Sequence, residues 1–372
     1  MKKGWTYKSL GDCIDKVPKQ KQVKSKDYQS SGKYPIVSQE RDLISGYWDD
    51  ESFLYKHEKP VIIFGDHTKE IKYIDFDFVV GADGTQILSP KSSLNAKFFY
   101  YVLLATPIRT LGYARHFKLL KEKSFPIPSL AEQERIVERL DAAFAQIDEL
   151  KSNAERQLAE ARALFQSALT QAMQPKPGWQ EKTLGEIATD MYRGSGIRRD
   201  QITKEGIPCV RYGEIYTTYN ISFEDCVSHT LESSIASPKY FEHGDLLFAI
   251  TGESVEDIGK TIAYMGNEKC LLGGDIICMK HNQNPKFLSY ALSTTDAIKQ
   301  KGFGKTKLKV VHTNAPSLKA IRIPLPPLPE QQSIVEQLDS ISTNISLLEE
   351  INQKIKPECD AMKQALLRQI FE

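Results

Sequence analysis

Few residues in this chain stand at spacings that support covalent chemistry. Gly304-Lys305-Thr306 has the ending of a phosphate-binding loop, but Lys299 occupies the place of its first glycine. Asn284-Pro285-Lys286-Phe287 lacks the second proline of the Asn/Asp-Pro-Pro-aromatic tetrapeptide of adenine methyltransferases, and no glycine-rich dinucleotide fingerprint follows a strand-like run. Asp66 with Glu70-Ile71-Lys72 has the residue types of a metal-nuclease carboxylate–lysine set, in a span short enough to arise by accident. The seven histidines show no metal-ligand pairing, so no metal site and no catalytic residue is expected. The chain is therefore read as non-catalytic on its own.

Binding chemistry is better represented. From Gly84 to Lys121 there is no Asp or Glu, yet Lys91, Lys97, Arg109, Arg115, Lys118 and Lys121 occur. From Ala297 to Pro329 there is again none, with Lys299, Lys301, Lys305, Lys307, Lys309, Lys319 and Arg322. Each tract holds a Gly-aromatic turn followed by basic or hydroxyl side chains: Gly112-Tyr113-Ala114-Arg115-His116 and Gly302-Phe303-Gly304-Lys305-Thr306-Lys307. Cationic loops free of acid suit a phosphate backbone, because every neutralised phosphate releases counterions. Reading a base sequence also needs side chains that reach base edges. The candidates are Gln39, Arg41, His67, Lys69 and Lys72 in the first part of the chain, and Arg193, Arg198, Arg199, Arg211, Tyr212 and Lys260 in the second. Any one of them is more often a surface charge than a base contact, so the expectation attaches to the group.

The two tracts hold the same place in a duplicated chain. Pro126-Ile-Pro128-Ser129-Leu130-Ala-Glu132-Gln133, followed by Ile136, Val137, Leu140 and Asp141, returns 198 positions later. The second copy is Pro324-Leu-Pro-Pro327-Leu-Pro-Glu330-Gln331 with Ile334, Val335, Leu338 and Asp339. Trp5…Leu10-Gly11 is answered by Trp179…Leu184-Gly185, Asn95-Ala-Lys97-Phe98 by Asn284-Pro-Lys286-Phe287, and Gly81-Ala-Asp83 by Gly273-Gly-Asp275. The order is globular, helix, globular, helix, with boundaries at 1–128, 129–174, 175–327 and 328–372.

Each globular part should mix α and β. Tyr34–Val37, Pro60–Phe64 and Phe78–Val80 read as strands in the first, and Pro208–Val210, Asp245–Ala249 and Ile276–Cys278 in the second. Lys97 to Leu104 is a short core helix. The regular alternation of a parallel sheet is missing, so the fold class is α+β. Both long segments have helix starts: Ser129 with Glu132 forms a capping box, and Pro329 suits a first helical position. Leu140, Ile147, Ala154, Ala161 and Ala168 recur every seven residues, joined by Phe144, Leu158 and Phe165. Leu338, Ile345, Cys359 and Leu366 share one register of the second segment, and Ile341, Leu348, Ile355 and Met362 the other. That stripe predicts an antiparallel coiled coil paired through Leu140, Ile147, Leu158 and Phe165 against Leu338, Ile345, Leu348, Met362 and Leu366. Each helix of about 42 residues would span roughly 63 Å. Asn352 is a polar break in the seam, and Pro357 should kink the second helix or end its first half.

The 372 residues suit two domains, and 41% hydrophobic content supports folded cores. No apolar run spans a membrane and no signal-peptide core follows Met1, so a cytoplasmic chain without a membrane partner is expected. The six cysteines, Cys13, Cys209, Cys226, Cys270, Cys278 and Cys359, show no Cys-x-x-Cys spacing and should be reduced. Net charge is +1, but the first globular part has 21 Lys and Arg against 15 Asp and Glu, while the last helical part has 4 against 8. Basic charge gathers in the globular parts and acidic charge in the helices.

The paired Pro-x-Pro…Glu-Gln…Ile-Val-x-x-Leu-Asp elements, with Trp5…Leu10-Gly11 and Trp179…Leu184-Gly185 ahead of them, resemble the specificity subunit of type I restriction–modification systems over essentially the whole length. The resemblance implies two target-recognition domains, each reading one half of a bipartite, asymmetric double-stranded DNA site. It implies that the paired helices set the unread gap, as a ruler of ample length for half-sites about 34 Å apart per turn. It further implies docking of two methyltransferase subunits that bind S-adenosylmethionine, and of restriction and translocase subunits that use ATP and Mg²⁺. No cofactor falls to this chain. Two other readings stay open: the separate specificity subunit of a bifunctional type II system, and a coiled-coil scaffold that binds no nucleic acid. The scaffold predicts no salt-dependent retention on DNA, whereas a recognition subunit predicts weak binding that falls steeply with salt.

Overall fold

The structure, a computed structural model, describes residues 4–110, 112, 114–255, 257–303 and 311–372. The chain folds as two compact units, one of Met1–Glu155 with Asn352–Glu372, the other of Arg156–Ile351. Among the described residues no helix is long and apolar enough to cross a membrane.

In the first unit every residue of Val61–Gly65 is buried, and its apolar run makes it a central strand covered on both faces. It pairs antiparallel with Thr85–Pro90 and Ile71–Ile74, and Ile14–Asp15 completes the sheet. A second sheet is built around Phe78–Ala82, which runs parallel to Tyr34–Val37 and to Gln22–Lys24. The second unit repeats both ideas. Leu246–Ala249 lies antiparallel between Ile276–His281 and Thr261–Tyr264, and Ile207–Val210 runs parallel to Cys270–Leu272. The expected strands are therefore present, in mixed sheets rather than a parallel one. Glycine is required where each parallel pair ends: a Cβ on Gly81 would lie 2.7 Å from Ser38 Cβ, and one on Gly273 would lie 2.6 Å from the Val210 carbonyl oxygen.

Each unit is closed by the strand that leads into its long helix. Thr6–Ser9 pairs antiparallel with Ser124–Ile127, and Gln180–Thr183 with Arg322–Leu325, in matching register. Both entry strands then turn through a capping box, Ser9 with Asp12 and Thr183 with Glu186, into one helical turn.

The duplicated helix-start motif ties each long helix to the short helix of its domain. Buried Gln133 accepts a hydrogen bond from the Asn95 N–H (2.9 Å) and donates to the Pro128 carbonyl (3.0 Å). Buried Gln331 accepts from the Asn284 N–H (3.0 Å) and donates to the Pro326 carbonyl (2.8 Å). Asn95 and Asn284 are themselves the N-caps of Ala96–Ala105 and Pro285–Ala291. Two turns on, Asp141 accepts from the Tyr101 hydroxyl and pairs with Lys97 (3.0 Å). Asp339 likewise accepts from the Tyr290 hydroxyl (2.7 Å) and pairs with Lys286 (2.8 Å). Burial and these carboxylates hold both tyrosines protonated far above the usual phenol range.

The long helices, Leu130–Ala172 and Leu328–Phe371, form an antiparallel coiled coil. In the first unit the partners shift from Ile147 with Cys359 to Ala154 with Asn352, whose side chain donates to the Ala154 carbonyl at 3.2 Å. In the second unit they shift from Arg162 with Glu349 to Lys176 with Glu330. Leu140, Ile147 and Leu338 are buried, and Leu158, Phe165, Ile345, Leu348 and Leu366 are half-buried.

Two expectations for the second helix need correction. Its first half does not end at Pro357: the helix continues to Phe371, although the proline can donate no bond to the carbonyl one turn back. Met362 does not face the seam and is 50% exposed. Beyond Cys359 the inward positions are Lys363, Leu366, Leu367 and Ile370, so Lys363 takes the place expected of Met362. The inward face there widens because it also packs on the first domain's core, where Leu367 is buried and Phe371 meets Trp5 and Phe98 edge-on.

The clamp has a measurable cost of removal. Gln331→Leu leaves the Asn284 N–H and the Pro326 carbonyl without their partner and should lower stability by about 1–3 kcal/mol, read as an earlier midpoint in chemical denaturation.

Candidate nucleic-acid interface

In the first unit the loops leaving the parallel and central strands are stitched together. The Gln39 side-chain oxygen accepts from the His67 N–H (3.0 Å), and the Gln39 carbonyl accepts from the Thr68 hydroxyl (2.6 Å). Lys69, at φ 64°, reaches the Thr110 hydroxyl (2.6 Å) and so joins the first basic tract to the same cluster. Asp66, 3% exposed, accepts from the Phe117 N–H (2.8 Å) and lies 3.9 Å from the Arg115 guanidinium. Arg41, Arg109 and Lys118 are exposed and carry no ion pair among the described residues. This loop rim brings together Gln39, His67, Lys69, Arg109 and Arg115.

Two candidates there are corrected. Lys72 is buried, and its ammonium donates to the Ser38 carbonyl (2.9 Å) and to the Asp42 carbonyl; burial lowers its pKa. It anchors the Ser38–Asp42 loop and does not face a ligand. His116 is 1% exposed, with its Nδ1 3.0 Å from the Asp66 carbonyl, so it is part of the staple under the basic tract. Asp66 and Lys72 are spent on separate backbone groups, and among the described residues no cluster of His, Cys, Asp and Glu is gathered as a metal site.

The second unit places its candidates around matching strand ends. Arg211 follows Ile207–Val210, and its guanidinium lies on buried Glu214 (3.1 and 3.0 Å). Arg211, Tyr212 and Arg199 line one cavity of about 480 Å³ with Gly273, Gly274 and Asp275. Arg193 donates to the Gly274 carbonyl and to Asp275, both at 2.6 Å, on the same rim. Arg198 pairs with Asp200 at the surface (3.3 Å). The strand Val311–His312 pairs with Thr251–Gly252 and brings the middle of the second basic tract to the end of the central strand. Lys305, Thr306, Lys307 and Lys309 lie outside the described residues. Phe303, just before them, is 88% exposed.

Lys260 is also corrected. It donates to the Tyr219 carbonyl (2.9 Å) and burial lowers its pKa, so it closes the turn after the Tyr212–Thr217 helix. Sequence reasoning missed Glu214 and Ser228, and singled out Asp66 for a nuclease-like set rather than for its place beside Arg115. The Arg211…Glu214 spacing of three was the available signal, since such pairs meet on one helical face.

These features define a duplicated binding module: two unlike domains, each with basic side chains collected on loops at the ends of its central strands, on an antiparallel helical pair. The chain belongs to the family of type I restriction–modification specificity subunits. The family model, described as the type I restriction modification DNA specificity domain, matches residues 2–160 and again 176–357. The specificity subunit of the Escherichia coli type I restriction enzyme EcoR124I/EcoR124II is 26% identical over 340 residues, covering 86% of this chain and 82% of the relative. Two solved structures agree in fold. The HsdS subunit from Thermoanaerobacter tengcongensis has a TM-score of 0.56 at 19% identity, covering 100% of this chain and 97% of its own. A chain from work on complex assembly and conformational transition of the type I R-M system reaches 0.69 at 18%, covering 98% and 97%.

Not every cation of the tracts faces outward. Lys301 is 5% exposed, with its ammonium on the Leu292 carbonyl (2.8 Å) and the Thr261 hydroxyl (3.0 Å), and burial pushes its pKa down to about 7. Above that pH the unfolded chain binds the extra proton, so stability should rise with pH from about 7 toward the ordinary lysine range, by at most about 1.4 kcal/mol per pH unit. Lys301→Met should flatten that rise in unfolding curves taken at successive pH values.

Proposed function

We propose that this chain is the DNA-reading subunit of a type I restriction–modification complex and performs no reaction itself. Each domain reads one half of a bipartite, asymmetric site, and the helical pair sets the unread gap and receives two methyltransferase subunits. S-adenosylmethionine belongs to those subunits, and ATP and Mg²⁺ to the restriction subunits that join them in the cytoplasm. The observation that carries this reading is the repetition itself: two family matches in one chain, over residues 2–160 and 176–357, each containing one acid-free basic tract. The rims differ between the domains, Gln39, Arg41, His67 and Lys69 against Arg193, Arg199, Arg211 and Tyr212, which suits a site whose halves differ.

Phosphate contact supplies affinity without sequence, and base-edge contact supplies the sequence. Exchanging residues 179–320 for those of another family member should therefore alter one half of the methylated motif in adenine-methylation maps of host DNA. A change in both halves would refute the modular reading. Replacing Lys305, Lys307 and Lys309 by Ala should weaken the assembled complex on all duplexes alike and flatten its salt dependence, by roughly 0.9 in log–log slope for each phosphate no longer neutralised. Unchanged affinity would remove the basic tract from the interface.

A further inference from the structure

The second domain holds one arginine differently from the others at its rim. Glu214 is 7% exposed, and one of its carboxylate oxygens receives Arg211 Nε (3.1 Å), Arg211 Nη2 (3.0 Å) and the Ser228 hydroxyl (2.6 Å). Its other oxygen receives the Arg211 backbone N–H (2.9 Å). Arg211 is thus fixed at both its backbone and its guanidinium by one buried carboxylate, and that carboxylate is steadied by Ser228.

A guanidinium has two edges that can donate a parallel pair of bonds. Glu214 takes the side edge, made of Nε and one hydrogen of Nη2. The end edge keeps one hydrogen on Nη1 and one on Nη2, with no partner among the described residues. Arg211 is also a wall of the 480 Å³ cavity, which it shares with Gly213, Gly273 and Gly274 and with the side chains of Tyr212 and Arg199. Its side chain is 32% exposed, whereas Arg193 and Arg198, paired with rim carboxylates, are 61% and 74% exposed. A planar fork held by a buried anion, with its far edge open, is arranged for a bidentate acceptor such as the O6 and N7 atoms of guanine.

We propose that Arg211 reads a guanine in the half-site bound by the second domain, with Glu214 and Ser228 as its positioning residues. This rests on the DNA-reading function above and adds a single base and a single side chain to it. In the first domain the position that follows the corresponding parallel strand is Ser38, which is buried, so the first half-site has no counterpart of this contact.

The test uses the full chain expressed with its methyltransferase subunits, read by adenine-methylation mapping. The half-site that follows residues 179–320 in the domain exchange is the one to inspect. With Arg211→Ala, the preference for guanine at one position of that half-site should fall about ten- to hundredfold while the other half stays intact. Arg211→Lys keeps the charge but not the fork and should relax the same position; it decides the case if the alanine variant fails to assemble. Glu214→Gln should relax that position less, in a complex that assembles normally. An unchanged motif, with methylation reduced equally at all sites, would make Arg211 a phosphate or packing residue and overturn the proposal. If the unmodified chain directs no bipartite motif at all, the DNA-reading function itself fails, and this inference goes with it.

Discussion

The structure depends on a hydrogen-bonded junction made twice. A glutamine one turn into each long helix, Gln133 or Gln331, uses both ends of its amide: it accepts from the N–H of the neighbouring helix cap and donates to the carbonyl of its own proline-rich lead. An aspartate two turns later, Asp141 or Asp339, takes a tyrosine hydroxyl and a lysine from that same short helix. The glutamines are drawn wholly from water and the aspartates partly, where unmade bonds are expensive, so the helix has one direction and one rotation relative to its domain. That constraint fixes which stripe of the helix remains to form the coiled coil.

The rims follow the same logic with charge. Three of their cations are held by a polar partner while keeping donors for a ligand. Lys69 is tied to Thr110, Arg193 to Asp275 and Arg211 to Glu214, each leaving donors over. Lysines that lack such an outlet, Lys72, Lys260 and Lys301, are turned inward onto carbonyls and serve the loops instead. Counting basic residues along a tract therefore overstates what meets a ligand. The second domain shows it, since Lys301 lies in an acid-free run and still points into the core.

Much of the fold was legible because it repeats. Two matched prolines, two Glu-Gln pairs and two Leu-Asp pairs marked the helices, and runs such as Val61-Ile-Ile-Phe64 marked the central strands. Heptad spacing carried the first helix from Leu140 to Phe165 but misplaced Met362, because past Cys359 the second helix packs on the first domain's core as well as on its helical partner. The interface was only partly legible. Gln39, His67 and Lys69 share a loop cluster through contacts across 28 to 41 residues of chain, and no local spacing encodes those. His116 and Lys72 carry the right chemistry and the wrong exposure, because a strand or loop decides which face a side chain takes.

The helices also divide the chain unevenly in time. The second unit is one uninterrupted stretch, Arg156–Ile351, whereas the first borrows Asn352–Glu372 and seats Leu367 and Phe371 in its core. On the ribosome the first domain must wait with that apolar surface open while some two hundred further residues are added, roughly ten to forty seconds at ordinary rates of synthesis. The domain made first is thus the one finished last, and a chaperone has its longest opportunity on the amino-terminal half.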